Sequence, residues 1–208
     1  MDEAAQILDG VLLSDGYLRR YNKRALFQLT QSGIEHMDWL FYVRDKCLVP
    51  LGIPISLGYP KDFRYTSKGK PYVHCMLSSK LSPSLLSDYY TWYPDGKKVV
   101  PPGLVLTTTV VAHWFMGDGC ISSYGQVCFS TNAFSNTDRL FLVKALYDSF
   151  GITAGTTSVG EIRFAVAPQV DSFIETISPL LVNSFRYKVD GGTIKKKIDH
   201  IRAKLYRE

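Results

Sequence analysis

Two aspartates, each followed by glycine, stand 103 residues apart in a chain of 208: Asp15-Gly16 and Asp118-Gly119. A carboxylate beside a backbone carbonyl is the hard oxygen-donor chemistry that suits a divalent cation such as Mg²⁺. Each pair closes an apolar, helix-like run: Ile7 to Ser14 before the first, Val110 to Gly117 before the second. A carboxylate repeated at half the chain length points to a duplicated fold that brings two acids together. Such acids repel, and a helix C-terminus adds partial negative charge. A divalent cation is the natural compensation. The carbonyls of Gly16 and Gly119 are expected to serve as further ligands, because a helix leaves its last carbonyls unpaired. One Asp-Gly alone would read as a helix stop; two in a matched repeat favour a metal site.

The repeat extends to the elements that must hold these acids. Ser32-Gly33-Ile34-Glu35 matches Ser135-Asn136-Thr137-Asp138, and each reads as a helix start with a Ser cap and an acid three residues later. Apolar-periodic runs follow, through Trp39, Leu40, Val43 and Cys47, and through Leu140, Val143, Leu146 and Tyr147. Gly52 and Gly151 stop these helices. Short strands are expected at Tyr17 to Tyr21, Leu26 to Gln31, Ile121 to Ser123 and Gln126 to Thr131. A second pair per half is expected from Ile53 to Leu57 with Tyr72 to Ser78, and from Ile152 to Ser158 with Ile162 to Val166. Gly58 to Lys70 reads as a long polar connection, Val159-Gly160 as a tight turn, and Pro83 and Pro168 as openers of the last helices. Each half is therefore expected to run helix, two strands, helix, two strands, helix. The first motif helix is apolar nearly all round, so it should be buried. Small residues at Gly10, Ser14 and Gly117 would let the two motif helices approach closely.

Composition sets the class. An apolar content of 46% excludes general disorder. No apolar run is long enough to span a membrane, and no secretory pattern opens the chain, so an intracellular protein that does not enter membranes is expected. The compartment, a mitochondrion, a chloroplast or a microbial cytoplasm, is left open. Cys47, Cys75, Cys120 and Cys128 form no CxxC pair and read as buried, reduced thiols. The net charge of +5 is modest, but its distribution matters more. Arg19, Arg20, Lys23 and Arg24 surround the first hairpin; Lys61, Arg64, Lys68 and Lys70 fill the long connection; Lys97 and Lys98 are adjacent; Arg186, Lys188, Lys195, Lys196, Lys197, Arg202, Lys204 and Arg207 crowd the C-terminal stretch. Cations spread along strands and loops fit a phosphate-binding face.

ILDGVLLSDG (residues 7–16) and VVAHWFMGDG (residues 110–119) resemble the two motifs of LAGLIDADG homing endonucleases of the monomeric, intron-encoded type. The resemblance covers nearly the whole chain. It includes Trp92-Tyr93 and Lys97-Lys98-Val99-Val100-Pro101 before the second motif, and Arg186-Tyr187-Lys188 after it. It implies an α+β fold of two pseudo-symmetric αββαββα halves, each with a four-stranded antiparallel sheet that forms a DNA-binding saddle. The motif helices would pack at the central interface. The halves would be residues 1–93 and 107–208, joined by a linker at 94–106. It implies divalent-metal-dependent hydrolysis of one phosphodiester on each strand of a long, non-palindromic DNA site, leaving short 3′ overhangs. Asp15, Gly16, Asp118 and Gly119 would bind Mg²⁺, with Mn²⁺ as a substitute. Lys98 and Lys188 would stabilise the pentavalent phosphorane or activate water. The protein would act on double-stranded DNA as a monomer; an intron RNA maturase and a non-cleaving DNA-binding protein are the alternatives on the same fold. His113 departs from the motif, standing where a packing glycine usually lies, and Leu13 and Met116 replace the motif's first acid.

Strand alternation then nominates residues that read DNA. Arg24, Gln28 and Thr30 share one face of the second strand, Tyr17 and Arg19 lie on the first, and Gln126, Cys128 and Ser130 alternate with Val127 and Phe129 in the other half. Arg163 falls on a later strand. Gln to adenine and Arg to guanine are familiar direct-readout pairs. Arg20 belongs to the same basic hairpin, and Lys61, Arg64, Lys68 and Lys70 suit backbone contacts at the edge of a site. Thr193 to Arg207 reads as a basic terminal helix.

Overall fold

Apolar residues on every side make helix α1 (Glu3–Leu13) a core element: Ala4, Ile7, Leu8, Gly10, Val11, Leu12 and Leu13 are all buried. The helix ends at Ser14, whose hydroxyl donates back to the carbonyls of Gly10 and Val11. The chain then leaves as strand β1 (Gly16–Tyr21), turns at Asn22-Lys23 and returns as β2 (Arg24–Ser32). In this computed structural model residues 2–67 and 70–189 are described, with residues 67, 70 and 71 as backbone only.

Helix α2 (Met37–Val43) buries Trp39, Leu40 and Val43 and continues as a wider helical turn, Arg44–Leu48, that buries Cys47 and Leu48. Strands β3 (Lys61–Ser67) and β4 (Lys70–Ser78) follow, then α3 (Leu86–Trp92). The second series repeats the order: α4 (Thr108–Asp118), β5 (Gly119–Ile121), β6 (Val127–Phe129), α5 (Asn136–Phe150), β7 (Gly155–Thr156), β8 (Ile162–Phe164) and α6 (Ala167–Ile177). Two four-stranded antiparallel sheets result, ordered β1-β2-β4-β3 and β5-β6-β8-β7. The αββαββα order and the α+β class are those expected.

The chain divides into two compact units. One runs to Leu104 and includes Val182–Ser184; the other is Val105–Leu181 with the described residues from Phe185. In the first unit Phe27, Leu29 and Leu77 on one sheet face are fully buried. In the second, Phe129 stacks on Trp114 and meets Phe115 and Phe173 edge-on, while Phe164 closes on Phe173. Each sheet thus has one apolar face and one open face, as a half-covered antiparallel sheet should. Among the described residues no helix is long and apolar enough to cross a membrane.

Several local expectations change. Ile53 to Leu57 is not a strand; it touches the sheet only through an isolated Ile55–Ser79 bridge. The strand that pairs with β4 is Lys61–Ser67, inside the supposed polar connection. Its residues 61–66 are all exposed, so the alternation of Phe63 and Tyr65 with polar residues marks no buried face. Ser32 is not a cap but the last residue of β2, and Gly33 takes φ +86° to turn into a single 3-10 turn. Ser135 does cap α5, with Asp138 completing a reciprocal capping box. Pro83 lies before α3 rather than at its first turn, whereas Pro168 falls in the first turn of α6. Strand β5 begins at Gly119, directly after the helix, and ends where a strand had been expected to start. Cys120 is exposed, unlike the other three thiols. Lys68, Lys195, Lys196, Lys197, Arg202, Lys204, Arg207 and the helix expected over 193–207 lie outside the described residues, as does the Lys70 side chain.

One buried acid lies among these helices. Burial, then the nearby charge of Asp88, raises the Asp9 carboxyl from 3.8 to about 6, although the Trp92 side chain hydrogen-bonds to it. Burial also raises Asp88. The folded state therefore holds the Asp9 proton more tightly than the unfolded chain, and stability falls as pH rises from 3.8 to about 6. Asp9→Asn should raise the stability at pH 7 by up to about 3 kcal/mol. The gain should vanish near pH 4; thermal melts across that range, with a gain independent of pH as the contrary result, check it.

Candidate active site

Each Asp-Gly sits where a buried helix turns directly into a strand, and this turn explains the glycine. A Cβ on Gly16 would lie 2.7 Å from the Val11 carbonyl oxygen, and one on Gly119 would lie 2.7 Å from the Phe115 Cα. Neither glycine has a positive φ. The requirement is therefore close approach to the preceding helical turn, not left-handed backbone. Gly16→Ala and Gly119→Ala should each destabilise by about 1–3 kcal/mol, because backbone must move; unchanged melting temperatures would contradict this reading.

The geometry sets Asp15 just past the end of α1 and makes Asp118 the last residue of α4. The Gly16–Leu29 register carries Gln31 past the end of β1, and its amide nitrogen donates to the Asp15 carboxylate at 2.6 Å. Gln31 is buried and lies on the core-side face of β2, so strand alternation had placed it away from the reading residues. It is the site residue that sequence reasoning missed. The register-equivalent residue of the other half is Thr131, whose hydroxyl donates to the Gly160 carbonyl instead.

Each half also returns a lysine to its own acid. After α3 the Val99 N–H donates to the Trp92 carbonyl and Val100 is buried, which anchors the segment. Lys98 then donates to the Ser14 and Gly16 carbonyls, at 3.0 and 2.9 Å, on either side of Asp15. In the second half the 3-10 segment Asn183–Lys188 is anchored by buried Phe185. Lys188 donates to the carbonyls of Phe115, Met116, Gly117 and Gly119, at 3.2, 2.7, 3.3 and 2.7 Å. An ammonium group at a helix C-terminus satisfies orphan carbonyls and opposes the partial negative charge there. The Gly16 and Gly119 carbonyls expected to face a metal thus already accept from lysine. A carbonyl has two lone pairs, so one ammonium contact leaves room for a second partner.

No group of three or more His, Cys, Asp or Glu side chains gathers among the described residues. The donor set in each half is one carboxylate and adjacent carbonyls, which fits a cation that takes its other ligands from water and substrate phosphate. Mg²⁺ is such a cation. His113 is fully buried, and burial pushes its imidazole down to about 3, so it is neutral at ordinary pH.

The open face of the first sheet carries Tyr17, Arg19, Arg24, Gln28, Thr30 and Lys61. Tyr17 lies opposite Gln28, and Thr30 and Lys61 flank Met76 from the two sides. Phe63, Tyr65, Tyr72 and His74 extend this face along the β3–β4 hairpin, with Tyr65 stacked on both Tyr72 and His74. Arg20 is not brought to this face: its guanidinium donates to Tyr90 at 2.7 Å and lies over the Tyr89 and Tyr90 rings. Arg64 alternates to the side opposite Lys61 and pairs with Asp62 at 3.0 Å. On the second sheet, Arg163 lies opposite Cys128, between Gln126 and Ser130 in the strand alternation, and it forms an ion pair with Glu161.

Two αββαββα units, each ending its first helix in Asp-Gly, define a duplicated, sheet-based nuclease fold. The LAGLIDADG DNA endonuclease family model matches residues 5–173, and the chain belongs to that family. It is 29% identical over 212 residues to the DNA endonuclease I-ChuI of Chlamydomonas applanata, covering 89% of this chain and 94% of the relative. It is 23% identical to the uncharacterised protein MJ1098 of Methanocaldococcus jannaschii, covering 90% of this chain and 74% of that one. Among solved structures it is similar to the homing endonuclease I-WcaI bound to its DNA recognition sequence. That match has a TM-score of 0.77 and 17% identity, covering 91% of this chain and 86% of the other, and it supports the fold.

Proposed function

We propose that this protein is a monomeric homing endonuclease that cuts both strands of one long, non-palindromic DNA site by divalent-metal-dependent hydrolysis, leaving short 3′ overhangs. The observation that carries the proposal is the twofold occurrence of an acidic helix end covered by its own lysine. Asp15 with Gly16, and Asp118 with Gly119, would hold Mg²⁺, for which Mn²⁺ can substitute. Bound there, the metal supplies Lewis-acid stabilisation of the phosphoryl charge and a more acidic water. Lys98 and Lys188 neutralise the charge that builds on the phosphate as water adds and one P–O bond breaks. Gln31 holds the Asp15 carboxylate in one orientation.

The open faces would meet the major groove, with Tyr17, Arg19, Arg24, Gln28, Thr30 and Lys61 from one sheet and Gln126, Ser130 and Arg163 from the other. The first sheet has strands of six to nine residues, the second of two to three, which supports an asymmetric footprint and hence a non-palindromic site. Arg20, Arg64, Lys68 and Lys70 remain candidates for phosphate contacts at the edges. An organelle or a microbial cytoplasm is the proposed location.

Selection of bound duplexes from a random-sequence library tests the binding half of this reading. One duplex family should be enriched, and its affinity should fall by roughly 10³-fold or more between 50 and 200 mM salt, as phosphate neutralisation requires. Enrichment of no duplex, or an affinity indifferent to salt, would contradict it.

A further inference from the structure

Cys120 on β5 and Cys128 on β6 are register partners, directly opposite each other. Cys128 is in turn opposite Arg163 on β8, and Arg163 opposite Gly155 on β7. The two thiols therefore begin a row that crosses the open face of the whole second sheet. They lie within hydrogen-bonding reach of each other. Directly opposite residues of an antiparallel pair have Cα atoms about 4.5–5.5 Å apart, inside the span of about 4.4–6.8 Å that a disulfide bridges. Cys120 is exposed and Cys128 is buried. Cys47 and Cys75, the other two thiols, are fully buried in the first unit.

We propose that Cys120 and Cys128 are a reactive dithiol that a low-molecular-weight disulfide oxidises to a cross-strand disulfide, and that this bond weakens the sheet's hold on DNA. The exposed Cys120 thiolate attacks the small disulfide, forming a mixed disulfide and releasing one thiol. The Cys128 sulfur then attacks the Cys120 sulfur and displaces the second thiol. Two protein thiols are oxidised, one small disulfide is reduced to two thiols, and the two protons leave with them. Cys120 is open to solvent and Cys128 is not, so Cys120 initiates and Cys128 resolves. The bond draws both side chains down onto the sheet between Gln126 and Ser130, which changes the surface offered to DNA. A thiol pair of this kind in a reducing compartment acts as a transient sensor rather than a structural staple.

The DNA consequence rests on the proposed function; the thiol chemistry does not. The full chain is treated with glutathione disulfide, and its free thiols and peptide linkages are mapped. The expected product is a monomer lighter by two hydrogens, with a Cys120–Cys128 peptide link reversed by dithiothreitol. Cys128→Ser should instead trap a stable glutathione adduct on Cys120. A stable adduct on Cys120 in the wild-type chain, a dimer linked through Cys120, or four unreacted thiols would each overturn the assignment. On the enriched duplex, oxidation should weaken binding at least tenfold, and Cys120→Ser should remove the response. A mapped disulfide with unchanged affinity would overturn the control role. Binding of no duplex by reduced and oxidised protein alike would refute the proposed function, while the peptide map would still decide the disulfide.

Discussion

On the proposed function, Asp15→Asn should yield a protein that nicks the duplex instead of cutting it through, and Asp118→Asn should yield a nick in the opposite strand. Asp15 follows the end of α1 and Asp118 ends α4, one acid per half, so on the proposed function each would serve one strand. Asn keeps the volume and one carbonyl-type oxygen, and can still accept from Gln31 in the first half, but it lacks the charge that holds a hard cation. Losing metal assistance removes several kcal/mol of transition-state stabilisation, roughly 10³-fold or more in the rate for that strand. Affinity for the duplex should change by less than about tenfold, because neither carboxylate neutralises phosphate. Strand-specific end labelling reads both outcomes. Equal loss on both strands from either single substitution would contradict the assignment of one acid to one strand.

Lys98→Met and Lys188→Met form the second prediction. Methionine keeps the apolar stem and removes the ammonium group. Each should slow cleavage of one strand by roughly 10²-fold, the order observed for loss of one preorganised donor, with little change in the salt dependence of binding. The two variants should differ in stability. Lys98 donates to two carbonyls and Lys188 to four. Lys188 also caps the whole last turn of α4, so Lys188→Met should lower the melting temperature more. A rate loss that merely tracks unfolding, or one recovered at a temperature where both variants are folded, would leave these lysines as helix caps only.

How much of this was legible in the sequence differs by element. The motif helices were plain, because apolar residues dominate them: Gln6 and Asp9 are the polar side chains between Ala4 and Leu13, and His113 the one between Val110 and Met116. Ser135 and Asp138 marked α5 through a local motif that needs no tertiary partner. The same pattern failed at Ser32, because β2 runs on through that residue to pair with His74, a contact that no local rule contains. Strand β3 was invisible for a related reason. It is an edge strand held by backbone pairing to β4, and neither of its faces meets the core. Ile53 looked like part of a strand because it is buried, yet it fills the core from a loop. Asp15 and Asp118 stood out by spacing, whereas Lys98 and Lys188 were legible only through family resemblance. Gln31 was not legible: its contact with Asp15 depends on the hairpin register, and its neighbours Gln28 and Thr30 looked equally polar.

The most direct test of the central claim is strand-resolved cleavage of the enriched duplex with and without Mg²⁺, using wild type and the Asp15→Asn, Asp118→Asn double variant. The account predicts that wild type cuts both strands at one site only when Mg²⁺ is present, and that the double variant binds the same duplex and cuts neither strand. Tight binding by wild type with no cleavage in Mg²⁺ or Mn²⁺, or cleavage by the double variant at the wild-type rate, would contradict it.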